Sequence, residues 1–238
     1  MSERALVTGG SAGIGRAVVE RLAADGYECV VFDRVAPEGD LPGSWFEVDL
    51  SNRLDTAAAL ERVLAGGPIT RLVNNVGVVR PASLEDASTA DFDAAISLNL
   101  RCALQCTQAL VPGMKAARFG RIVNISSRAA LGKELRSVYS ATKAGLHGFV
   151  KTWALELGAF GITANAIGPG PIRTALFEAA NPPDSPRTKA IIQGVPVKRM
   201  GQPADIANAV SFFLDARSGF VTGQVLYVCG GMTVGTVT

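Results

Sequence analysis

Short apolar runs alternate along the chain with longer stretches in which apolar and polar residues follow a helical period. Most of the short runs are apolar on consecutive residues rather than on alternate ones. That pattern is typical of strands buried on both faces, as in a parallel sheet. The sequence predicts seven strands, at RALVTG, ECVVFD, WFEVDL, RLVNNVG, GRIVNISS, ITANAIG and QVLYVCGG.

The longer stretches predict helices between these strands. They cover residues 13–25, 52–65, about 89–116, 138–158 and 203–215. Strands and helices that alternate from end to end predict an α/β fold, a Rossmann-like doubly wound parallel sheet of about seven strands with helices on both faces. No linker, repeat or low-complexity tract interrupts the pattern, so residues 1–238 are expected to form a single domain.

The segment NPPDSP, residues 181–186, departs from this regular pattern. Its three prolines predict a stiff loop, because proline blocks a continuing helix. The loop follows a late strand, where a parallel sheet builds its ligand cleft. Residues 175–200 around it are therefore a candidate lid over bound ligands.

Charge and composition exclude several classes of protein. Lysine and arginine number 23 against 21 aspartates and glutamates, so the net charge of +2 offers no attraction for nucleic acid or an anionic membrane. No uninterrupted apolar run reaches about 18 residues, so no membrane span is predicted. An apolar strand begins near residue 5, which leaves no room for a secretory leader.

The four cysteines predict neither a metal site nor a disulfide. Cys29, Cys102, Cys106 and Cys229 form no CxxC motif and no Cys/His cluster that could hold zinc. Cys102 and Cys106 share a helix face, but an i,i+4 pair does not normally form a disulfide. We expect reduced, mostly buried thiols in a cytoplasmic protein.

The first predicted strand runs into the glycine-rich loop TGGSAGIG. Glycine permits a tight turn and lets backbone N–H groups approach a pyrophosphate, whose charge the following helix end favours. Glycines also end strands for purely structural reasons. Here the loop follows a strand, opens a helix and precedes another strand within about 30 residues, which predicts a dinucleotide site. Its candidate residues are Gly9, Ser11, Gly13, Ile14 and Gly15.

An acidic residue ends the second predicted strand. Asp33 lies 18 residues after Gly15, about where a carboxylate meets the ribose of an adenosine. It would accept both ribose hydroxyls and repel a 2′-phosphate, which favours NAD over NADP. Arg34 could hold a phosphate if Asp33 turned away. The alternative is that Asp33 only caps the strand as a turn residue.

Eight motifs, in order, resemble those of the short-chain dehydrogenase/reductase family, in its compact single-domain branch. They are TGGSAGIG, VDL, NNVG, SLNL, IVNISS, YSATK, GPGPIRT and VTGQVLYVCGG. The resemblance covers nearly the whole chain. It implies an NAD(P)-dependent oxidoreductase that interconverts a secondary alcohol and a ketone by hydride transfer. It also implies a homotetramer built partly on the helices at 89–116 and 138–158.

In YSATK, Tyr139 matches the family's catalytic tyrosine and Lys143 its lysine. Residues at i and i+4 lie on one helix face, so both side chains can reach one pocket. A free tyrosine has a pKa near 10, and a nearby ammonium group lowers it. The resemblance implies that Tyr139 exchanges a proton with the substrate oxygen and that Lys143 also binds the nicotinamide ribose. The alternative is an ordinary exposed helix pair.

The resemblance also implies a catalytic serine and a catalytic asparagine. Matched from the end of its strand, Ser127 takes the serine position. Counted back from Tyr139 by the family's usual separation of thirteen residues, Ser126 takes it instead. A loop loses a residue more readily than a strand shifts register, which favours Ser127. Asn99 in SLNL matches an asparagine that holds a water beside the lysine, or it is a buried amide bonded to backbone.

Further residues match cofactor contacts of the family. Asp49 and Leu50 match the pair beside the adenine, and Asn75 and Gly77 match residues on the adenosine side. The segment that positions the nicotinamide amide corresponds to Pro169, Gly170, Ile172 and Thr174.

The substrate pocket is expected to use residues 128–138 and 175–200. Arg128, Lys133 and Arg136 in the first segment either meet an acidic substrate or face solvent. The only histidine, His147, lies one turn beyond Lys143. It is expected to contact another subunit rather than to take part in catalysis.

Two other functions remain open from the sequence. A 3-oxoacyl-thioester (acyl-carrier-protein) reductase would share almost all of these motifs but would usually prefer NADPH, which Asp33 disfavours. A non-catalytic dinucleotide-sensing protein would keep the fold and lose turnover. The complete set of serine, tyrosine, lysine and asparagine positions argues against that second alternative.

Overall fold

Seven parallel strands form one sheet in the computed structural model, which describes residues 3–234. The strands lie in the spatial order β3-β2-β1-β4-β5-β6-β7. Every predicted strand is present, and the doubly wound parallel sheet is confirmed. The strands are β1 Arg4–Thr8, β2 Glu28–Asp33, β3 Ser44–Glu47, β4 Arg71–Asn74, β5 Gly120–Ile125, β6 Ile162–Pro169 and β7 Val225–Val228.

Helices cover both faces of the sheet. They are α1 Gly13–Ala24, α2 Arg53–Leu64, α3 Thr89–Ile96, α4 Cys102–Ala117, α5 Ser137–Leu157, α6 Ala175–Ala180, α7 Pro186–Gln193 and α8 Pro203–Leu214. In β1, Leu6 packs in the core under α2, α4 and α5, while Ala5 and Val7 pack under α1 and α8. Both faces of the strand are thus buried, as the consecutive apolar residues predict. No helix within residues 3–234 is long and apolar enough to cross a membrane.

The sequence placed one long helix at about 89–116, and the structure differs there. A π-helical turn at Ser97–Arg101 separates α3 from α4. A π turn inserts an extra residue into the helical repeat and often marks a functional site. Asn99 lies inside this turn.

The predicted stiff loop at 181–186 is shorter than expected, because helices border it on both sides. Residues 175–180 form α6, and Pro186 is the first residue of α7. Proline is well tolerated at a first helical position, where its missing N–H would have no intrahelical partner. Ser185 caps α7 by accepting the N–H of Thr188. Only residues 181–185 lie between the two helices.

Two buried arginines close the amino end of the sheet. Arg71 and Arg121 are register partners on β4 and β5. Arg71 pairs with Glu3 at 2.8 Å and donates to the carbonyl of Leu214. Arg121 donates to the carbonyl of Asp215, and burial followed by the charge of Arg71 lowers the pKa of Arg121. These contacts seal the amino end.

The strand order reverses at β1, which has β2 on one side and β4 on the other. In a doubly wound sheet, the connections after two such strands leave in opposite directions and open a crevice at their carboxyl ends. The glycine loop follows β1, and the NNVG motif follows β4. The fold therefore brings these two motifs to one edge.

Candidate active site

The glycine loop lies at the carboxyl end of β1. Gly9 and Gly13 have φ angles of +67° and +54°, a left-handed conformation that favours glycine. A Cβ atom on Gly15 would overlap the carbonyl oxygen of Gly9. No side chain caps α1, so its first N–H groups remain available to a ligand. Ile14 packs against the apolar core under α1.

Asn75 holds the glycine loop by its backbone. Its Nδ2 donates to the carbonyls of Thr8 at 3.0 Å and Gly9 at 2.9 Å. The hydroxyl of Thr8 in turn accepts the N–H groups of Asn75 and Val76. The sequence predicted a cofactor contact for Asn75 and overlooked Thr8. Both side chains fix the position of the loop.

Asp33 faces the glycine loop. Its Oδ2 accepts the N–H of Ser11 at 3.0 Å, and its Oδ1 accepts the N–H of Val35 at 3.3 Å. Arg34 is exposed, and it makes no ion pair within the part of the chain described. The Asp33 carboxylate, which the sequence predicts to bind the adenosine ribose, is thus held beside the glycine loop. It is not turned away from the loop.

The buried hydroxyl of Ser11 indicates whether the glycine loop fits a dinucleotide. Its hydroxyl is buried and has no hydrogen-bond partner among residues 3–234. A buried hydroxyl without a partner is costly, and an oxygen of a bound phosphate or ribose would satisfy it. The loop therefore has the shape, the free N–H groups and the unsatisfied donor that this ligand requires.

Asp49 and Leu50 follow β3 near the same edge. Asp49 accepts the hydroxyl of Ser51 at 2.6 Å and its N–H at 2.9 Å. These hydrogen bonds hold the pKa of Asp49 below its usual value. Leu50 is buried in the core.

Tyr139 and Lys143 lie on one face of α5, as the i,i+4 spacing predicts. The Lys143 Nζ atom is 5.7 Å from the centroid of the Tyr139 ring. Lys143 is buried, and its Nζ donates to the carbonyl of Ile125 at 2.8 Å. Ile125 is the last residue of β5, so this bond ties the helix to the strand that carries the serines.

Burial opposes the charged form of both side chains. Desolvation lowers the pKa of Lys143 to about 8. Desolvation also raises the pKa of Tyr139, while a hydrogen bond with Ser127 and the charge of Arg136 lower it. The sequence expected Lys143 to lower the pKa of Tyr139. In the structure, Ser127 and Arg136 are the groups that do so.

The two serines of NISS have different surroundings. The hydroxyl of Ser127 acts on Tyr139, whose pKa it lowers, and it accepts the N–H of Ala129. Ser126 is buried and donates its hydroxyl to the carbonyl of Lys143 at 2.9 Å. The geometry therefore favours Ser127 as the partner of Tyr139.

Asn99 is buried in the π-helical turn and connects three elements. Its Oδ1 accepts the N–H of Val78, and its Nδ2 donates to the Val78 carbonyl and to the Thr142 hydroxyl. Thr142 in turn donates to the carbonyl of Tyr139. A Cβ atom on Gly77 would lie 3.1 Å from Lys143 Nζ and 3.2 Å from Asn99 Oδ1. Gly77 thus leaves room where these two groups converge, and Thr142 was not found from the sequence.

The segment after β6 reaches the glycine loop. Pro169 ends the strand, and the N–H of Gly170 donates to the carbonyl of Val228 at 3.0 Å. Ile172 is buried. Thr174 caps α6, and its side chain is 3.5 Å from the position of a Cβ atom on Gly13. Of the residues that the sequence assigned to the nicotinamide end, Thr174 thus lies against the loop.

All four cysteines are buried and free. Within residues 3–234, no group of three or more His, Cys, Asp or Glu side chains could hold a metal ion.

His147 connects α5 to β5 at a second point. Its Nε2 is 2.7 Å from the Ser126 hydroxyl, and its ring packs edge-on against Tyr227. Because Ser126 donates its one proton to the carbonyl of Lys143, its oxygen accepts from His147, so Nε2 carries the proton. His147 therefore supports the strand end that carries Ser127.

Replacing His147 tests this support. His147→Leu should lower the free energy of unfolding by about 1 kcal/mol, because the Ser126 oxygen loses its donor. His147→Gln keeps an N–H donor and should lose less. Urea unfolding followed by circular dichroism measures both variants. Equal stability of the leucine variant and the wild type would contradict this role.

Comparison with known proteins adds an independent line of support. The family model described as Enoyl-(Acyl carrier protein) reductase matches residues 9–233. The chain is 38% identical over 248 residues to an acetoacetyl-CoA reductase of Allochromatium vinosum, covering 98% of this chain and 99% of that protein. It is 37% identical over 241 residues to (2S)-[(R)-hydroxy(phenyl)methyl]succinyl-CoA dehydrogenase subunit BbsD of Thauera aromatica, covering 97% and 96%.

A solved structure agrees with these relatives. A protein of Agrobacterium tumefaciens assigned as a 2-deoxy-D-gluconate 3-dehydrogenase, with bound NADP, superposes with a TM-score of 0.89 at 34% identity. The match covers 98% of this chain and 97% of that one. These comparisons confirm the family resemblance found in the sequence. They also confirm that the protein is an enzyme that uses a nicotinamide dinucleotide. The chain belongs to the short-chain dehydrogenase/reductase family of oxidoreductases.

Proposed function

We propose that this enzyme interconverts a secondary alcohol and a ketone on an acyl thioester, with NAD as its preferred cofactor and Tyr139 as its general acid/base. The observation that carries the proposal is the buried Lys143, whose Nζ donates to the carbonyl of Ile125 and lies 5.7 Å from the centroid of the Tyr139 ring, at the sheet edge that also holds the glycine loop. It is the arrangement that a proton exchange at a substrate oxygen requires.

The proton steps follow from the side chains of the chain itself. In the oxidative direction Tyr139 takes the alcohol proton, and in the reductive direction it donates a proton to the carbonyl oxygen. Ser127 donates a hydrogen bond to the same oxygen and holds it near Tyr139. Lys143 would pass the proton of Tyr139 on to a water, and Asn99, whose Oδ1 lies near Lys143 Nζ at Gly77, would help to hold that water. A bound nicotinamide dinucleotide accepts or supplies the hydride.

The cofactor would bind along the edge already described. The first N–H groups of α1 and Ser11 would hold its phosphates, and Asp33 its adenosine ribose. Asp49 and Leu50 would lie on the adenosine side. Gly77, which the sequence assigned to that side, lies instead beside Lys143 and Asn99. Lys143 would bind the nicotinamide ribose, and the nicotinamide amide would be positioned by Pro169, Gly170, Ile172 and Thr174.

The preference for NAD is supported by the position of Asp33. Its carboxylate accepts the N–H of Ser11, so it stays beside the loop where a 2′-phosphate would carry like charge. The structural relative from Agrobacterium tumefaciens contains NADP. In this protein, the Asp33 side chain favours NAD, which lacks the 2′-phosphate of NADP.

The substrate class is supported by the curated relatives. Both relatives described above are named for coenzyme A thioesters, and each is aligned with this chain over nearly its whole length. A thioester with a hydroxyl or oxo group on its acyl chain is therefore the substrate that we propose.

We propose that the protein acts as a single domain that assembles into a homotetramer in the cytoplasm. Large apolar side chains are exposed on two faces: Leu155 on α5, and Phe212, Phe220 and Leu226 around α8 and β7. Exposed apolar side chains on separate helices suit burial between subunits. Four unpaired buried cysteines suit a reducing compartment.

Replacement of Tyr139 tests the catalytic assignment. Tyr139→Phe should lower kcat by about 10²- to 10⁴-fold, the usual contribution of a general acid or base, and should leave NAD affinity nearly unchanged. The assay follows nicotinamide absorbance with 3-hydroxyacyl-CoA thioesters and a panel of simple secondary alcohols. Full turnover by this variant would overturn the assignment.

The pH profile separates the two serines. The hydrogen bond from Ser127 lowers the pKa of Tyr139, so its removal should raise that pKa. In Ser127→Ala, the midpoint of the increase of kcat/KM with pH, measured for alcohol oxidation, should therefore lie at a higher pH than in the wild type. Ser126→Ala is the matched control, and its midpoint should stay in place. A shift in the control alone would assign the role to Ser126.

Asp33→Asn tests the cofactor preference. The amide oxygen can still accept the N–H of Ser11, so the loop should keep its shape while the repulsive charge disappears. The ratio of the NADP to the NAD dissociation constant should fall by about tenfold, a change of about 1.4 kcal/mol. Titration of both cofactors followed by tryptophan fluorescence measures it. A wild-type preference for NADP would contradict the assignment.

Light scattering tests the tetramer. At micromolar concentration the mass should be about four times that of the chain, which is 24.7 kDa. Leu155→Glu should lower the mass, because a charge in a buried apolar interface is costly. A single-chain mass for the wild type would rule out the tetramer.

A further inference from the structure

The connection between β2 and β3, residues 34–43, begins directly after Asp33, and we call it the β2–β3 loop. It contains no helix or strand, and most of its side chains are exposed. Leu41 packs against the core under α1. Gly43 lies so close to the neighbouring strand that a Cβ atom on it would overlap the carbonyl of Cys29. Packing therefore fixes the end of the loop that leads into β3.

Arg16, near the start of α1, holds the middle of the β2–β3 loop. Its Nη1 donates to the carbonyl of Glu38 at 2.5 Å, and its Nη2 donates to the carbonyl of Asp40 at 2.6 Å. Gly39, between these two carbonyls, has a φ angle of +63°, a conformation that favours glycine. The Nε of Arg16 donates to Glu20 Oε1 at 2.8 Å, one turn along the helix. All three nitrogens of the planar guanidinium group are thus engaged, which fixes its orientation.

The two bonds from Arg16 connect a stretch of backbone that has few other restraints. Within residues 3–234, the backbone of residues 36–41 makes no other hydrogen bond with another part of the chain. Without Arg16 this stretch would sample many conformations. A ligand that requires one of these conformations would then have to order the loop at an entropic cost.

The β2–β3 loop links Arg16 to Asp33. The Asp33 Oδ1 accepts the N–H of Val35 at the start of this loop, and its Oδ2 accepts the N–H of Ser11 in the glycine loop. Ser11 and Arg16 belong to one continuous segment that enters α1. The contacts therefore form a closed ring, from Ser11 to Asp33, along the β2–β3 loop, and back through Arg16. Such a ring restrains the Asp33 carboxylate from both sides.

We propose that Arg16 is a positioning residue for the adenosine ribose of the cofactor. It holds the β2–β3 loop so that Asp33 faces the ribose hydroxyls, and its own nitrogens stay bonded to Glu20 and the loop carbonyls. This inference rests on the proposed function, which assigns the adenosine ribose to Asp33, and adds the residue that orients that carboxylate. An arginine that served only the helix would pair with Glu20 and would need no contact with the loop.

Calorimetry with ADP-ribose tests this role, because the ligand carries the adenosine and the pyrophosphate and needs no turnover. Arg16→Gln should weaken ADP-ribose binding by about five- to tenfold, since two hydrogen bonds to the loop are lost. Arg21→Gln is the matched control, because it removes the same charge from α1. Arg21 pairs with Asp25 and contacts Asn208 instead of the loop. The affinity of the control for ADP-ribose should stay within about twofold of the wild type.

A double-mutant cycle with Asp33 separates positioning from general support of the fold. If Arg16 acts through Asp33, then Arg16→Gln should weaken ADP-ribose binding by less than about twofold in an Asp33→Ala background. A loss of helix stability would weaken binding by the same factor in both backgrounds. Equal factors in the two backgrounds would therefore overturn the inference. Unchanged ADP-ribose binding by Arg16→Gln, or an equal loss in the Arg21→Gln control, would also overturn it.

Two further measurements keep this inference separable from the proposed function. Binding of 2′-phospho-ADP-ribose should weaken less than that of ADP-ribose in Arg16→Gln, because a released Asp33 repels the 2′-phosphate less. A loss confined to the phosphorylated ligand would show a direct phosphate contact and overturn the positioning role. The kcat at saturating NAD should stay within about twofold of the wild type, because the reacting groups are not part of the ring. If the wild type oxidises no thioester, the proposed substrate class fails, while ADP-ribose binding still decides the role of Arg16.

Discussion

The buried ammonium group of Lys143 is the constraint on which the arrangement of the site depends. It is 3% exposed, and within residues 3–234 no carboxylate lies within ion-pair distance. Burial lowers its pKa to about 8, which costs the charged form on the order of 3 kcal/mol. The carbonyl of Ile125 offsets part of this cost. A protein keeps such a group where its chemistry is needed.

The same constraint places Tyr139. Three hydrogen bonds join α5 to the end of β5: Lys143 to the carbonyl of Ile125, Ser126 to the carbonyl of Lys143, and His147 to Ser126. Since the helix cannot slide along the strand without breaking them, Tyr139 stays beside Ser127. Two opposing effects then act on the pKa of Tyr139. Desolvation raises it, while Ser127 and Arg136 lower it.

Charge acts locally at the proposed cofactor site, although the net charge of the chain is only +2. Asp33 accepts the N–H of Ser11 and so stays beside the glycine loop. A carboxylate in this position would repel a 2′-phosphate. The near-neutral net charge therefore does not describe the selectivity of the site.

The sequence by itself determined the strand order along the chain, the glycine loop and the pairing of Tyr139 with Lys143. Each depends on local spacing: consecutive apolar residues, glycines at a strand end, and side chains one helical turn apart. It favoured Ser127 over Ser126 on the register of the strand, but only the packing of α5 gives the two serines different partners. Helices α6 and α7 and the π turn at Asn99 were also missed, since short helices and helix irregularities have weak local patterns. Only the tertiary structure brought Gly77 beside Lys143 and Asn99, because contacts between distant segments depend on how the sheet and its helices pack.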